Sequence, residues 1–210
     1  MLATMKVIAA LMVWSLPFLI VQSPVTVESG QAAVSMSQED YSLYDRVTED
    51  KFLTAQIQLV LLERMTVSRL VPDRDGSMSL DFLQQQGYSD GMLPQELVRD
   101  FVGGNQTPVP LEPKFLFGVP YRFVSDGTTE DPEAGAAVPV LSNPARPAQA
   151  TSVLDRLAFS RVGRTLKNDQ ALVYVENVRS DGTGAGFLVW YRRQGQEWKL
   201  FDTEVVWTMR

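Results

Sequence analysis

The chain contains neither cysteine nor histidine. Thiolate and imidazole are the usual zinc ligands and the usual nucleophile and general base near neutral pH, so both absences together remove most zinc chemistry and the common forms of covalent catalysis. An enzyme built on this sequence would have to run on carboxylates, hydroxyls, lysine or arginine. Without cysteine there is also no disulfide framework, and the fold must stand on its apolar core. Basic charge is in short supply too. Nineteen Lys and Arg against 25 Asp and Glu give a formal charge of -6, which argues against a protein that grips nucleic acid through its phosphates.

What is present begins with a leader. Met1 to Lys6 carry a basic residue, and Val7 to Val21 is apolar apart from Ser15 and Pro17. This is the order of regions in a secretory signal. The run is short for a helix that crosses a bilayer, which needs about 20 residues, and Pro17 would cost an interior hydrogen bond. The expectation is a cleaved signal ending near Gly30-Gln31-Ala32-Ala33, with an uncleaved anchor at residues 7–21 as the alternative. The lack of cysteine excludes a lipoprotein, and no arginine pair precedes the apolar run. Residues 1–33 are thus a signal or anchor, residues 34–210 one domain, and the location is extracytoplasmic, either periplasmic or secreted.

After the leader, Ser37 and Asp40 are spaced as a capping box, and Leu43, Tyr44, Val47 and Phe52 recur at helical spacing. Ile57 to Glu63 then reads as a strand buried on one or both faces. Pro72 to Ser77 is turn chemistry. Its aspartates suggest a calcium loop, but with Gly76 at the sixth position the first and twelfth positions fall on Val71 and Phe82, which cannot ligate calcium. A second helix is predicted from Leu93 or Pro94 to Val102, closed by Gly103-Gly104. Asn105-Gln106-Thr107 has the form of a glycosylation sequon. The proline-spaced stretch 108–120 reads as extended and leads into a strand at 121–125. Residues 126–150, rich in Pro, Ala and Gly, read as a mobile loop. Four strands follow, around 157–161, 171–178, 186–192 and 197–209, separated by turn clusters and read as an antiparallel meander. The last is one long bent strand or breaks near Asp202.

Several residue groups, taken in order, carry a resemblance. They are Asp40 to Tyr44, Thr66, Asp100-Phe101, Asn105, Pro110-Leu111, Ser160-Arg161-Val162-Gly163, Gln170 to Val175, Trp198-Lys199-Leu200 and Trp207. Together they resemble a family of uncharacterised secreted bacterial proteins with SRVG, QALVYV, WK and a final tryptophan in the C-terminal half. Arg164 departs from that pattern, which has an aromatic there, and a Pro/Ala-rich linker replaces an aromatic-rich approach to the SRVG segment. The resemblance implies an exported α+β domain with no catalytic residues to carry over.

The expected fold is α+β, an N-terminal helix packed on an antiparallel sheet with a C-terminal meander. A cone-like form, cystatin-like or nuclear-transport-factor-like, is one version of it. Candidate binding residues are Arg161, whose guanidinium needs a partner if buried within a strand, and Trp190, Tyr191, Trp198 and Trp207, which either line a concave face or pack the core. Glu63, Asp202 and Glu204 are candidates for an acid/base pair if two of them meet across a cleft. No catalytic residue, cofactor or metal is assigned. The functional expectation is a binding or protein-interaction module for a protein partner or small ligand. A carboxylate- or hydroxyl-dependent enzyme and a membrane-anchored accessory subunit are the alternatives, the membrane being reached only through the leader.

Overall fold

The computed structural model describes residues 36–125, 128–129 and 152–210. The predicted leader, its cleavage site and all but two residues of the predicted 126–150 loop lie outside them. Helix α1 (Gln38–Lys51) begins as its sequence dictates. Ser37 Oγ accepts from the Asp40 N–H at 3.2 Å, and Asp40 Oδ2 accepts from the Ser37 N–H at 2.9 Å, closing a capping box with Asp in the place of Glu. Tyr41, Tyr44, Val47 and Thr48 then form its buried stripe. Strand β1 (Ile57–Glu63) follows, then α2 (Leu80–Gln86), a 3-10 turn at Tyr88–Gly91 and α3 (Gln95–Gly104). The remaining strands are β2 (Tyr121–Ser125), β3 (Thr128–Thr129), β4 (Ser152–Phe159), the two-residue β5 (Gly163–Arg164), β6 (Gln170–Val178), β7 (Gly184–Gln194) and β8 (Glu197–Met209). Among the described residues no helix is long and apolar enough to cross a membrane.

All eight strands belong to one sheet, ordered β3-β2-β1-β4-β6-β7-β8 with β5 pairing β6. The meander from β4 through β6 and β7 to β8 is antiparallel, as expected. The other half is not. β1 runs parallel to both β2 and β4, so the sheet is mixed, and it is open, with β3 and β8 as its edges among the described residues. Parallel neighbours need long crossovers, and α2 and α3 lie within the first of them.

The expectation of one helix on one face also needs correction. Strand β6 is buried along nearly its whole length, and its side chains divide between two cores. Ala171, Val173 and Val175 join α1 through Tyr41, Tyr44 and Val47, while Leu172 and Tyr174 join α2 and α3 through Phe82, Leu83, Leu97 and Phe101. Each such aliphatic side chain stabilises the fold by about 2 kcal/mol on burial, so both faces need their cover. Helix α2 escapes a periodicity reading because it is only seven residues long. Its signals are the Ser79 side chain accepting from the Phe82 N–H and Gly87 ending it in the left-handed region at φ 63°.

Residues Ser160 to Arg164 tie the two layers together. Tyr44 Oη donates to the Ser160 carbonyl at 2.9 Å, and the Tyr174 N–H donates to Ser160 Oγ at 2.9 Å. Gly163 lies directly against α3, where a Cβ would stand 2.6 Å from the Phe101 Cα. Gly163→Ala is therefore expected to destabilise the protein by about 2 kcal/mol or more, because the obstacle is backbone. Gly103→Ala, in the same helix with open space around it, should be neutral or stabilise by roughly 0.5–1 kcal/mol. Denaturant unfolding of the two variants reads the contrast.

Asp45 yields a pH effect. It is buried on α1, its Oδ1 accepts from the Leu116 N–H at 2.9 Å, and burial, aided by the nearby Glu49 charge and opposed by that hydrogen bond, pushes its pKa up from 3.8 to about 6. A carboxyl raised on folding contributes stability that is fully present below pH 3.8 and lost as pH rises to about 6. Asp45→Asn keeps the acceptor and removes the charge. Melting curves should show that loss reduced across this window and a gain on the order of 1 kcal/mol at pH 7.

Candidate functional site

Glu63 does not share a cleft with the other two acids singled out in the sequence, Asp202 and Glu204. β1 and β8 stand four positions apart in the sheet, about 19 Å at ~4.8 Å per strand, beyond the reach of a glycosidase pair. Glu204 Oε1 accepts from the Ser89 N–H at 3.0 Å, holding the 3-10 turn in which Ser89 and Asp90 adopt positive φ. Asp202 Oδ1 accepts from the Thr203 N–H at 2.8 Å.

Glu63 instead begins a polar row across the α2/α3 face. Arg156 Nε on β4 lies 3.6 Å from Glu63 Oε2, and Glu176 on β6 is close enough for Arg156, Arg69 and Glu63 all to act on its charge. Tyr174 Oη donates to Glu176 Oε2 at 3.0 Å and accepts from Trp207 Nε1 at 2.6 Å. Trp207 reaches across β7 because the intervening residue is Gly186, where a Cβ would collide with the Trp207 indole and the Tyr174 hydroxyl. Burial, first of all, raises the Glu176 carboxyl above its ordinary range, and it raises the Tyr174 phenol as well. Sequence reasoning passed over Glu176 and Arg156. The available signal was a glutamate at the end of an apolar run, two and four residues on from Tyr174 and Leu172, which alternation places on one face.

The aromatic candidates divide by layer. Tyr191 and Trp198 belong to the α1 core, Trp190 to the α2/α3 core, and Trp207 bonds Tyr174 on that second side. Each indole N–H has a partner: Gln170 Oε1 for Trp190 at 3.1 Å, Glu39 Oε1 for Trp198 at 3.0 Å, and Tyr174 for Trp207. Glu39 also meets Arg164 at 3.4 Å and Arg193 at 3.3 Å. Burial works against its charge, but hydrogen bonds from Asn168 and Trp198 and these two guanidinium groups outweigh it, so its pKa is lowered. Arg164 reaches Asp40 as well, at 2.7 Å.

Arg161 lies past the end of β4 rather than within a strand. Its Nη1 donates to the Gly104 carbonyl at 2.9 Å, where a cation suits the C-terminal end of α3. Its backbone is clamped by Asn105, whose Oδ1 accepts from the Arg161 N–H at 2.7 Å and whose Nδ2 donates to the Arg161 carbonyl at 3.0 Å. The sequon asparagine is therefore buried and committed to the fold.

The surface that stands out is the outer edge of β8. This strand has thirteen residues, pairs only β7 among the described residues, and bulges near Phe201 and near Val206. It is one bent strand, which settles the alternative left open at Asp202. Leu200, Phe201, Val205 and Met209 are 40, 44, 53 and 45% exposed. Edge strands in soluble proteins are usually short or guarded by charge and bulges; this one is long and carries Glu197, Lys199, Asp202 and Glu204 as well as two bulges, yet still exposes four large apolar side chains. Phe201 is backed by Trp190, with ring centroids 4.6 Å apart, and by the Arg192 guanidinium. Among the described residues no group of three or more acids is placed to hold a metal ion.

No family model, curated protein or solved structure matches this chain.

Tyr191 has one unusual feature, a buried hydroxyl with no hydrogen-bond partner among the described residues. Tyr191→Phe should leave stability unchanged or raise it by about 1 kcal/mol, since an orphaned polar group is removed. Tyr44→Phe, which deletes the bond to Ser160, should lower stability by about 1 kcal/mol. Thermal unfolding of both variants tests the difference.

Proposed function

We propose that this protein is an exported interaction module that takes an extended segment of a protein partner along the outer edge of β8. The observation that carries this reading is the long edge strand with its exposed apolar side chains: β8 pairs only β7 among the described residues, so its outer N–H and C=O groups would supply main-chain bonds to an added strand, and alternate side chains would supply selectivity. Export is supported by the leader, with Lys6 before an apolar run from Val7 to Val21, and places the edge outside the cytoplasm. Retention of that leader as an anchor would make the same edge the contact of an accessory subunit within a larger assembly. Membership of the secreted family that the sequence resembles belongs to this reading too, supported by the ordered residues quoted above. So does a cone-like wrap of the antiparallel half around α1, supported by the β8 bulges, which bend a strand and increase its twist.

A second reading, an enzyme acting through carboxylates, is favoured by one observation, the raised Glu176 carboxyl beside Glu63 and Arg156. It ranks lower because the groups around Glu176 already bond one another.

Site-specific photo-crosslinking in the native cell distinguishes the two. A crosslinker at Val205 should yield a discrete protein adduct that disappears in the Leu200→Lys background, whereas one at Leu166, 94% exposed and away from the edge, should yield none. If Val205 gives no adduct above the Leu166 control, the edge-binding reading fails.

A further inference from the structure

The chain is acidic overall, yet at one end of its sheet cations outnumber acids, Lys51, Arg179 and Arg210 against Asp181, whose charge is felt by Arg179. Past the C-terminal end of α1, where β6 ends and β7 begins, lies a groove of about 480 Å³. That volume falls within the ~300–1,000 Å³ of small-molecule sites. Its apolar part is built from Phe52 and Phe187, whose rings meet edge to face at 5.9 Å, with Ala185 and Met209 beside them. Lys51, Arg179 and Arg210 supply positive charge, and Asp181 is the one acid among its lining residues. Asp181 is tied back into its own turn, Oδ1 accepting from the Thr183 N–H at 2.9 Å and from Thr183 Oγ1 at 2.7 Å. No ion pair within 4 Å joins Lys51, Arg179 or Arg210 to a carboxylate among the described residues.

We propose that this groove binds a small amphipathic carboxylate, with an aromatic or aliphatic body against Phe52 and Phe187 and a head group held by Arg179 and Lys51. The guanidinium fork of arginine matches a carboxylate in two parallel hydrogen bonds, and an ammonium adds a point charge. Asn177, on the same strand face as Val175, lines the boundary between the two parts and is held there by its Nδ2 donating to the Arg156 carbonyl at 3.5 Å. A strongly hydrated inorganic anion would leave the phenyl rings unused, and a neutral apolar molecule would leave the cations unpaired. Joining both properties in one ligand uses the whole wall. The site lies on the α1 side at the end of the sheet; it meets β8 at Met209 and beside Val205, the register partner of Phe187, and Leu200 pairs Tyr191 further along the strand.

The test is a titration of the full chain with 4-phenylbutyrate, followed by ligand-observed NMR and calorimetry, with 4-phenylbutyramide as the uncharged analogue. Saturable one-to-one binding of the carboxylate is expected, with the amide roughly tenfold weaker or more, as losing a charge-assisted hydrogen bond implies. Arg179→Gln should weaken the carboxylate by a similar factor. Lys51→Gln should weaken it by less, and added salt should weaken it further. Leu200→Lys on β8 should leave the affinity unchanged, which keeps this outcome distinct from that of partner binding. The proposal is overturned if the carboxylate does not saturate, if the amide binds equally well, or if Arg179→Gln and Lys51→Gln both leave the affinity as it was.

Discussion

A strand that is apolar on both faces has to be covered on both faces. β6 imposes this condition on the rest of the molecule: the Ala171-Leu172-Val173-Tyr174-Val175 run sends alternate side chains to opposite sides, and neither set reaches water. Helix α1 covers one side, and α2 with α3 covers the other. The helices come from separate parts of the chain, so something must hold them in register across the sheet. The Ser160 to Arg164 segment does so, meeting Tyr44 and Asp40 of α1, Phe101 and Asp100 of α3, and Tyr174 of β6.

Most residues that carry the family resemblance turn out to be connectors of this kind. Tyr41 accepts from the Glu112 N–H, Thr66 accepts from the Val109 N–H, Asn105 clamps Arg161, and Trp198 and Trp207 bond across elements. Polar groups taken out of water must find partners, and here those partners lie on a different element each time. Such residues specify an architecture. The features assigned to binding, the β8 edge and the cationic groove, are built mainly from other side chains.

Local features were legible in the sequence and long-range ones were not. Ser37 and Asp40 announce α1, and turn clusters bound β6, β7 and β8, because caps and turns are decided within a few residues. Trp190 and Tyr191 are neighbours on one strand, so alternation alone puts them on opposite faces and excludes a single aromatic wall. The parallel pairing of β1 was hidden, because no local signal links Ile57 to Ser152. Arg161 was placed in a strand because the apolar run from Leu157 continues to Val162 with only Ser160 and Arg161 to interrupt it, and the sequence gives no sign that the chain turns toward Asn105 there. The edge role of β8 was hidden for a related reason, since strand order is a property of the whole sheet.

That mixed pairing also sets an order of assembly. From β6 onward the meander joins its strands across tight turns and needs little chain to close. β1, by contrast, acquires both neighbours only after long excursions, at Tyr121 and at Ser152. A polypeptide that emerges amino end first therefore presents the apolar Ile57 to Leu62 segment long before its partners exist. Pairings of this kind fold slowly and leave a bare strand waiting. On the export route proposed above, the hazard is highest in the first half of the chain, and the cell's holding factors would be needed there rather than at the quick-closing carboxyl end.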